Sequence, residues 1–282
     1  MSIEDRQSTL VQSLARGLAV IRTFDHDHSR LTISEVAQRA ELSRATARRF
    51  LLTLTDLGYA AFDGKNFALT PRVLDLGYAY LSSTPLWEVA QPHMETVVQQ
   101  LHESCSASVL QDSDVVYVVR VPTKRIMTVT IGIGSRLPAF ATSMGRVLLA
   151  SLTPAELDAY FASARLTRLT SRTEVEPAKL RVLLRETAER GWALVDQELE
   201  DGVRSVAVPI RDGRNRVIAA MNVSGHASRV TVAQMKREFV PVLQAAAHRI
   251  SIALGLRNPG SVRPRLAPMR PTESTRGPVR SA

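Results

Sequence analysis

The chain holds one cysteine, Cys105, among its 282 residues. That excludes an intramolecular disulfide and any zinc site built from several thiolates. No Ser/His/Asp or Cys/His signature surrounds Cys105, so it reads as a small buried apolar residue rather than a nucleophile. No apolar run approaches the roughly 18 residues a membrane-spanning helix needs. The opening Met-Ser-Ile-Glu-Asp-Arg lacks the basic start and apolar stretch of a signal peptide. A cytoplasmic protein with no membrane partner is expected. P-loop, GxGxxG, HExxH and GxSxG motifs are missing too, so no cofactor and no catalytic residues are expected. His93 and His102 lie too far apart on one helix to share a metal. His26 and His28 sit in a polar loop (DHDHSR), where lone imidazoles are ordinarily solvated. No metal site is expected.

Acidic residues are the minority among the charges, 27 against 36 Lys and Arg, for a formal net charge of +9. A polyanion is a plausible partner. The excess is uneven. Six arginines (257, 263, 265, 270, 276 and 280) face the single acid Glu273 near the C-terminus, with five prolines among them. Residues 257–282 therefore read as a disordered basic tail, which either adds non-specific DNA attraction or only solubilises. The basic balance alone is thus weak evidence for DNA binding. The hydrophobic share of 45% suffices for real cores, and the length fits one large domain or two ordinary ones.

The first 70 residues carry a recognisable order. Leu14, Leu18, Ile21 and Phe24 recur at helical spacing, with Ser13 as N-cap. Thr32 and Glu35 have capping-box spacing before a short helix ending near Ala40, with Ile33, Val36 and Ala37 inward. Glu41-Leu42 makes a turn, and Ser43 caps a second helix, residues 44–57, buried through Phe50, Leu51, Leu54 and Leu57. Two short helices so joined form a helix-turn-helix. The second begins with Ser43, Arg44, Thr46, Arg48 and Arg49. Small, hydroxylated and basic residues there suit a major groove, where arginine binds guanine O6 and N7. Gly58–Phe62 and Lys65–Leu69 read as strands joined by Asp63-Gly64, a hairpin turn signal. The hairpin would be a wing, with Lys65 at its tip reaching a phosphate. Pro71 then starts a linker helix, 71–85, with Val73, Leu74, Leu76, Gly77 and Tyr80 as its apolar face.

Residues 86–256 read as a second domain. A helix at 86–102 buries Val89, Met94, Val97, Val98 and Leu101. Short β-branched stretches at 106–111, 115–121, 127–133, 192–195, 205–211 and 217–223 read as strands. Helices are expected from Thr142, after Thr153, over 176–189, and from Thr231 to Leu256. Hairpins and helices without repeated βαβ units argue for an α+β class, an antiparallel sheet flanked by helices. Such a layout offers a pocket. The start of the helix near Ser143 presents backbone N–H groups to an anion. Ser143, Ser205, Asn222 and Ser224 supply neutral hydrogen bonds. Arg125 and Arg136 are either ligand contacts or surface ion-pair partners.

The chain resembles the IclR family of bacterial regulators over about residues 13–255. The resemblance rests on SLARGLAVI (13–21), LSRATARRFL (42–51), GSRLPAFATSMGRVLLA (134–150), GWALVDQEL (191–199) and GVRSVAVPI (202–210). RVPTKRIM (120–127) with RLPAFATSMG (136–145) resembles the PcaR/PcaU/PobR subgroup, regulators of aromatic-acid breakdown through the β-ketoadipate pathway. The resemblance implies a winged helix-turn-helix and a GAF-like effector domain. It implies a homodimer or homotetramer, a double-stranded operator, and a small carboxylate effector such as protocatechuate, 4-hydroxybenzoate or β-ketoadipate. It maps the effector pocket to Ala141, Thr142, Ser143 and Met144, to Asp196, Ser205, Asn222 and Ser224. Many relatives carry Cys at the position of Ser205 and Ser at that of Asn222, which leaves the ligand's identity open. The rival expectations are an enzyme with a DNA-binding appendage and an architectural DNA-binding oligomer without a ligand.

Overall fold

A computed structural model describes residues 10–25, 27–83, 86–123 and 131–256. His26, Arg125 and the basic tail at 257–282 lie outside them. The chain divides into two compact units, residues 1–87 and 88–282.

The first unit begins with α1 (Gln12–Ile21), α2 (Ile33–Arg39) and α3 (Arg44–Asp56). Thr32 and Glu35 form the capping box: the Thr32 hydroxyl accepts the Glu35 N–H, and Glu35 Oε2 accepts the Thr32 N–H at 2.7 Å. Such a cap is worth about 1 kcal/mol. The turn into α3 passes through Glu41 at φ 55°, and Ser43 Oγ accepts the Thr46 N–H at 3.2 Å. Strands β1 (Ala60–Phe62) and β2 (Phe67–Leu69) form the hairpin. Its register centres the two-residue turn on Gly64-Lys65, one residue beyond the expected Asp63-Gly64. Asp63 instead flanks the turn, its carboxylate accepting the N–H groups of Lys65 and Asn66. Leu31 and Phe67 exchange two backbone hydrogen bonds, 3.0 and 2.8 Å, stitching the hairpin to the segment before α2. Val20, Leu31, Val36, Ala47, Leu51, Leu54 and Phe67 are buried together.

Three expectations for this unit need correction. α1 starts at Gln12 with Val11 at its N-cap and no side-chain cap, so Ser13 lies inside it. Leu14 and Leu18 are 63% and 48% exposed, because the buried residue is Val20, on another side of the helix. Leu57 is 53% exposed, since α3 ends at Asp56 and Ala47 takes the inward place. After a 3₁₀ turn (Pro71–Val73), α4 (Leu74–Ser83) also leaves Leu74, Leu76 and Tyr80 exposed. Periodicity identified an apolar face on α4 but not what covers it.

The second unit opens with α5 (Leu86–Leu101), followed by β3 (Ser104–Gln111), β4 (Asp114–Val121) and β5 (Arg136–Pro138). Then come α6 (Ser143–Leu149), α7 (Pro154–Ser163), α8 (Pro177–Arg190), β6 (Ala193–Asp196), β7 (Val203–Arg211) and β8 (Val217–His226). The six strands form one sheet of order β5-β4-β3-β8-β7-β6, with every pair antiparallel. Of the strand expected at 127–133, residues 127–130 lie outside the described residues and 131–133 form no strand. Gly134 at φ 87° turns the chain there, and the edge strand forms at 136–138 instead.

One sheet face carries α6 and an apolar cluster that includes Val115, Tyr117, Met144, Leu148, Ala207 and Ala220. The C-terminal helix contacts β7 and β8. It runs as α9 (Val232–Gln234), a π turn (Met235–Phe239) and α10 (Val240–Ala253), rather than one regular helix from Thr231 to Leu256. Pro241 has no N–H to give the preceding turn, which opens to the wider π spacing. No helix among the described residues is long and apolar enough to cross a membrane.

α6 packs tightly under the 3₁₀ turn (Ala139–Ala141) that precedes it. A Cβ on Gly145 would lie 2.0 Å from the Ala139 carbonyl oxygen. The three nearest atoms are all backbone of Ala139, which cannot swing aside as a side chain would, so Gly145→Ala is expected to cost on the order of 3 kcal/mol. Calorimetry would show this as a melting temperature lowered by several degrees; an unchanged melting temperature would mean the turn yields freely.

Candidate functional site

The first site is the exposed end of α3. Ala47, Leu51 and Leu54 are buried, which turns Arg44, Arg48 and Arg49 outward, all three exposed. None of these guanidinium groups meets a carboxylate among the described residues. The Ser43 and Thr46 hydroxyls are 2.8 Å apart and serve the cap. Lys65 is exposed on the hairpin turn. The turn itself is held by Asp63, whose carboxyl lies below its ordinary pKa because it accepts the backbone N–H groups of Asn66 and Lys65. Arg30 pairs with the same carboxylate at 3.0 Å. The helix end thus offers free cations beside a fixed hairpin.

The second site is a cavity of about 390 Å³ on the α6 side of the sheet. Its floor follows from strand register. Ser104, Ser224 and Ser205 lie opposite one another across β3, β8 and β7. One row further, Arg120, Ser106 and Asn222 lie opposite across β4, β3 and β8. Of the residues expected in a pocket, Ala141, Thr142, Ser205, Asn222 and Ser224 line this cavity. Asn222 is almost fully buried. Its Nδ2 donates to Ser224 Oγ at 3.1 Å, and its Oδ1 has no partner among the described residues.

The other expected residues lie elsewhere. Ser143 and Met144 are fully buried and absent from the lining; Met144 Sδ accepts from Ser108 Oγ at 3.3 Å. α6 begins with Thr142 Oγ1 already accepting the Gly145 N–H, so the helix start is partly self-satisfied. Arg136 pairs with Asp114 at 3.0 Å and Asp112 at 3.4 Å on the sheet edge. Asp196 binds Arg204 Nε at 2.6 Å and Arg172 at 3.3 Å. Arg125 lies outside the described residues.

The lining also holds residues that sequence reasoning missed, chiefly Tyr117, Arg120, Thr123, Glu103 and His226. Arg120 is half-buried. Its Nη1 donates to Ser106 Oγ at 3.4 Å, and it has no carboxylate partner among the described residues. Burial pushes the Tyr117 hydroxyl up to about 12 against the opposing charge of Arg120, so it is a neutral donor. Glu103 is buried, with Arg229 3.6 Å away. Apolar walls come from Ile131, Val195, Leu199 and Val203. The arrangement suits a small anion with an apolar body: Arg120 is the lining cation with no carboxylate partner among the described residues, Arg229 stands beside Glu103, and hydroxyls and an amide lie on the floor between the strands.

A bulge explains why Arg120 was missed. Ser108 pairs with Tyr117 but Ala107 with Val119, so Val118 is an extra residue. Plain alternation after Val115 and Tyr117 would put Arg120 on the opposite face. The only sequence signal available was the motif that begins with it.

Comparison with known proteins places this geometry. Residues 78–252 match the family model described as bacterial transcriptional regulator IclR C-terminal, and residues 13–64 match the IclR helix-turn-helix domain. The Pca regulon regulatory protein of Pseudomonas putida is 47% identical, over 83% of this chain and 81% of its own length. A solved structure of a protein from Rhodococcus sp. RHA1 is 53% identical, with TM-score 0.79, covering 87% of this chain and 98% of that one. The structure of an IclR homologue complexed with 4-hydroxybenzoate, from Microbacterium hydrocarbonoxydans, is 29% identical with TM-score 0.75, covering 86% and 98%.

Asp196 permits a pH test. Burial opposes its ionisation, but hydrogen bonds and charge from Arg204 and then Arg172 leave its pKa below the ordinary 3.8. A carboxyl lowered in the folded state adds stability above its unfolded pKa and loses it as pH falls through the folded value. Asp196→Asn is therefore expected to lower the melting temperature at neutral pH, with the gap to the parent closing below about pH 4. Thermal melts across an acid series check this; a gap independent of pH would remove the ion pair as its cause.

Proposed function

The chain belongs to the IclR family of bacterial transcriptional regulators, and we propose that it reads an operator through α3 and the wing while its cavity senses a small carboxylate. Arg120 carries the reading of the cavity: it is a guanidinium without a carboxylate partner among the described residues, whereas the other lining guanidinium, Arg229, stands 3.6 Å from Glu103. A carboxylate supplies the missing charge-assisted partner. The Pca regulator and the 4-hydroxybenzoate complex among the relatives favour an aromatic acid or a β-ketoadipate-pathway metabolite, and hence control of aromatic catabolism genes. The effector acts by differential affinity for two states of the regulator. The regulator works in the cytoplasm and catalyses nothing.

In this reading α3 enters the major groove. Ser43, Arg44, Thr46, Arg48 and Arg49 face the DNA, and Lys65 faces the flanking backbone. A homodimer presents two such modules and a homotetramer four. The support is apolar surface that one chain leaves uncovered: Leu10, Val11, Leu14 and Leu18 about α1, and Leu74, Leu76, Tyr78 and Tyr80 on α4. Patches of this kind mark protein contacts.

Two outcomes are expected. Arg49→Ala should weaken operator binding about tenfold, a typical loss for one arginine–base contact. Filter binding over a salt series would show it, and unchanged affinity would take Arg49 out of the interface. Isothermal titration with protocatechuate, 4-hydroxybenzoate and β-ketoadipate should find at least one ligand, and Arg120→Met should weaken it about tenfold or more. Heat-free titrations with all three would sink the carboxylate reading, and release of a converted product would favour an enzyme.

A further inference from the structure

Two charged side chains are buried against each other behind the cavity. The side chain of Arg146, in α6, is 4% exposed, and that of Glu198, after β6, is 13% exposed. The contact is a fork on a fork, Nη1 to Oε1 at 2.7 Å and Nη2 to Oε2 at 2.6 Å. The third guanidinium nitrogen, Nε, donates to the Phe140 carbonyl at 3.0 Å. Glu198 is held from its other side as well. Its Oε2 accepts the Glu174 N–H at 3.0 Å, and its backbone carbonyl accepts from Thr173 Oγ1 at 2.6 Å. One carbonyl earlier, Gln197 accepts from Thr170 Oγ1 at 2.7 Å, with Gln197 itself in the left-handed region at φ 60°.

Neither partner lines the cavity, but the segments they hold do, at Phe140 by a hydrogen bond and at Glu198 by the chain itself. Phe140 is followed by Ala141 and Thr142, and Glu198 by Leu199 and Glu200, all four in the wall. The ion pair therefore bonds one wall segment to the other through α6. Stability alone does not call for charges there, because a well-packed apolar pair is often as good or better. A bidentate fork contributes a fixed distance and a fixed plane.

We propose that the Arg146–Glu198 pair is a clasp that sets the separation of the 140–142 and 198–200 walls, and so decides which carboxylates fit between them. Both are positioning residues. The proposal rests on the cavity being the effector site.

The test titrates the full chain, as parent, Glu198→Gln and Glu198→Asp, with 4-hydroxybenzoate and protocatechuate, well below each melting temperature. Operator binding without effector serves as the check of folding. Gln keeps the shape and removes the charge; Asp keeps the charge and shortens the reach. Both variants are expected to bind the operator like the parent and to bind the acids about tenfold more weakly, as supporting residues around a bound group usually do. The ratio of the two affinities should shift about threefold, because a changed wall spacing treats rings with one and two hydroxyls differently. A pair that only held the fold together would lower the melting temperature and leave that ratio unmoved, and this result overturns the proposal. If one variant fails to fold, the other decides alone. A parent chain that binds neither acid, nor β-ketoadipate titrated beside them, would point instead to failure of the effector reading itself, and the clasp would fall with it.

Discussion

Residues 104–108 of β3 run antiparallel to residues 220–224 of β8, and the cavity exists because of that pairing. The two segments are far apart in sequence, so closing them carries a substantial loop entropy that only a large buried interface offsets. Tight register then fixes the rest. Cross-strand neighbours stand about 5 Å apart on one face. Ser104 beside Ser224 and Ser106 beside Asn222 become a polar floor, while Cys105 and Val223 point into the opposite layer. A slip of one residue would exchange the two sets and put the hydroxyls into the packing under the C-terminal helix. The bulge at Val118 is the one departure from strict alternation on β4, and it is what brings a cation to that floor.

The arginines of this chain divide by their company. Arg136, Arg216 and Arg181 meet carboxylates at the surface, where such pairs contribute little to stability. Arg146 and Arg204 are committed inside the second unit. Arg44, Arg48, Arg49 and Arg120 have no carboxylate among the described residues, and they stand at the two places where an outside anion would arrive. Sequence composition counts all of these alike. Partnership narrows them and position does the rest, since arginines such as Arg185 and Arg214 are exposed without an ion pair among the described residues but stand at neither place.

Much of the fold was legible because its signals are local. Thr32 with Glu35 and Thr153 with Glu156 announce helix starts through hydroxyl–backbone bonds that need no tertiary context. Gly191 at φ 75° ends α8 for the same kind of reason. The turn at Asp63 was found to within one residue. What local signals do not carry is the identity of the covering surface. Leu14, Leu18, Leu74 and Tyr80 look like core residues by spacing, yet remain exposed in the single chain. Asp196 was expected at a ligand and has basic neighbours instead, while Arg136, left open between a ligand contact and a surface ion pair, forms the ion pair. Arg120 went unread because one extra residue reversed the parity of its strand.

Cys105 lies fully buried between Val121 and Val223 in the middle of the sheet, and burial raises its thiol far above the ordinary value. With no thiolate and no access, it is inert toward maleimides and oxidants. A cysteine introduced on the wing turn would therefore be the sole reactive sulfur in the molecule. A fluorescent reporter could be attached there without first removing a native residue, and the regulator would carry its own optical readout of DNA engagement.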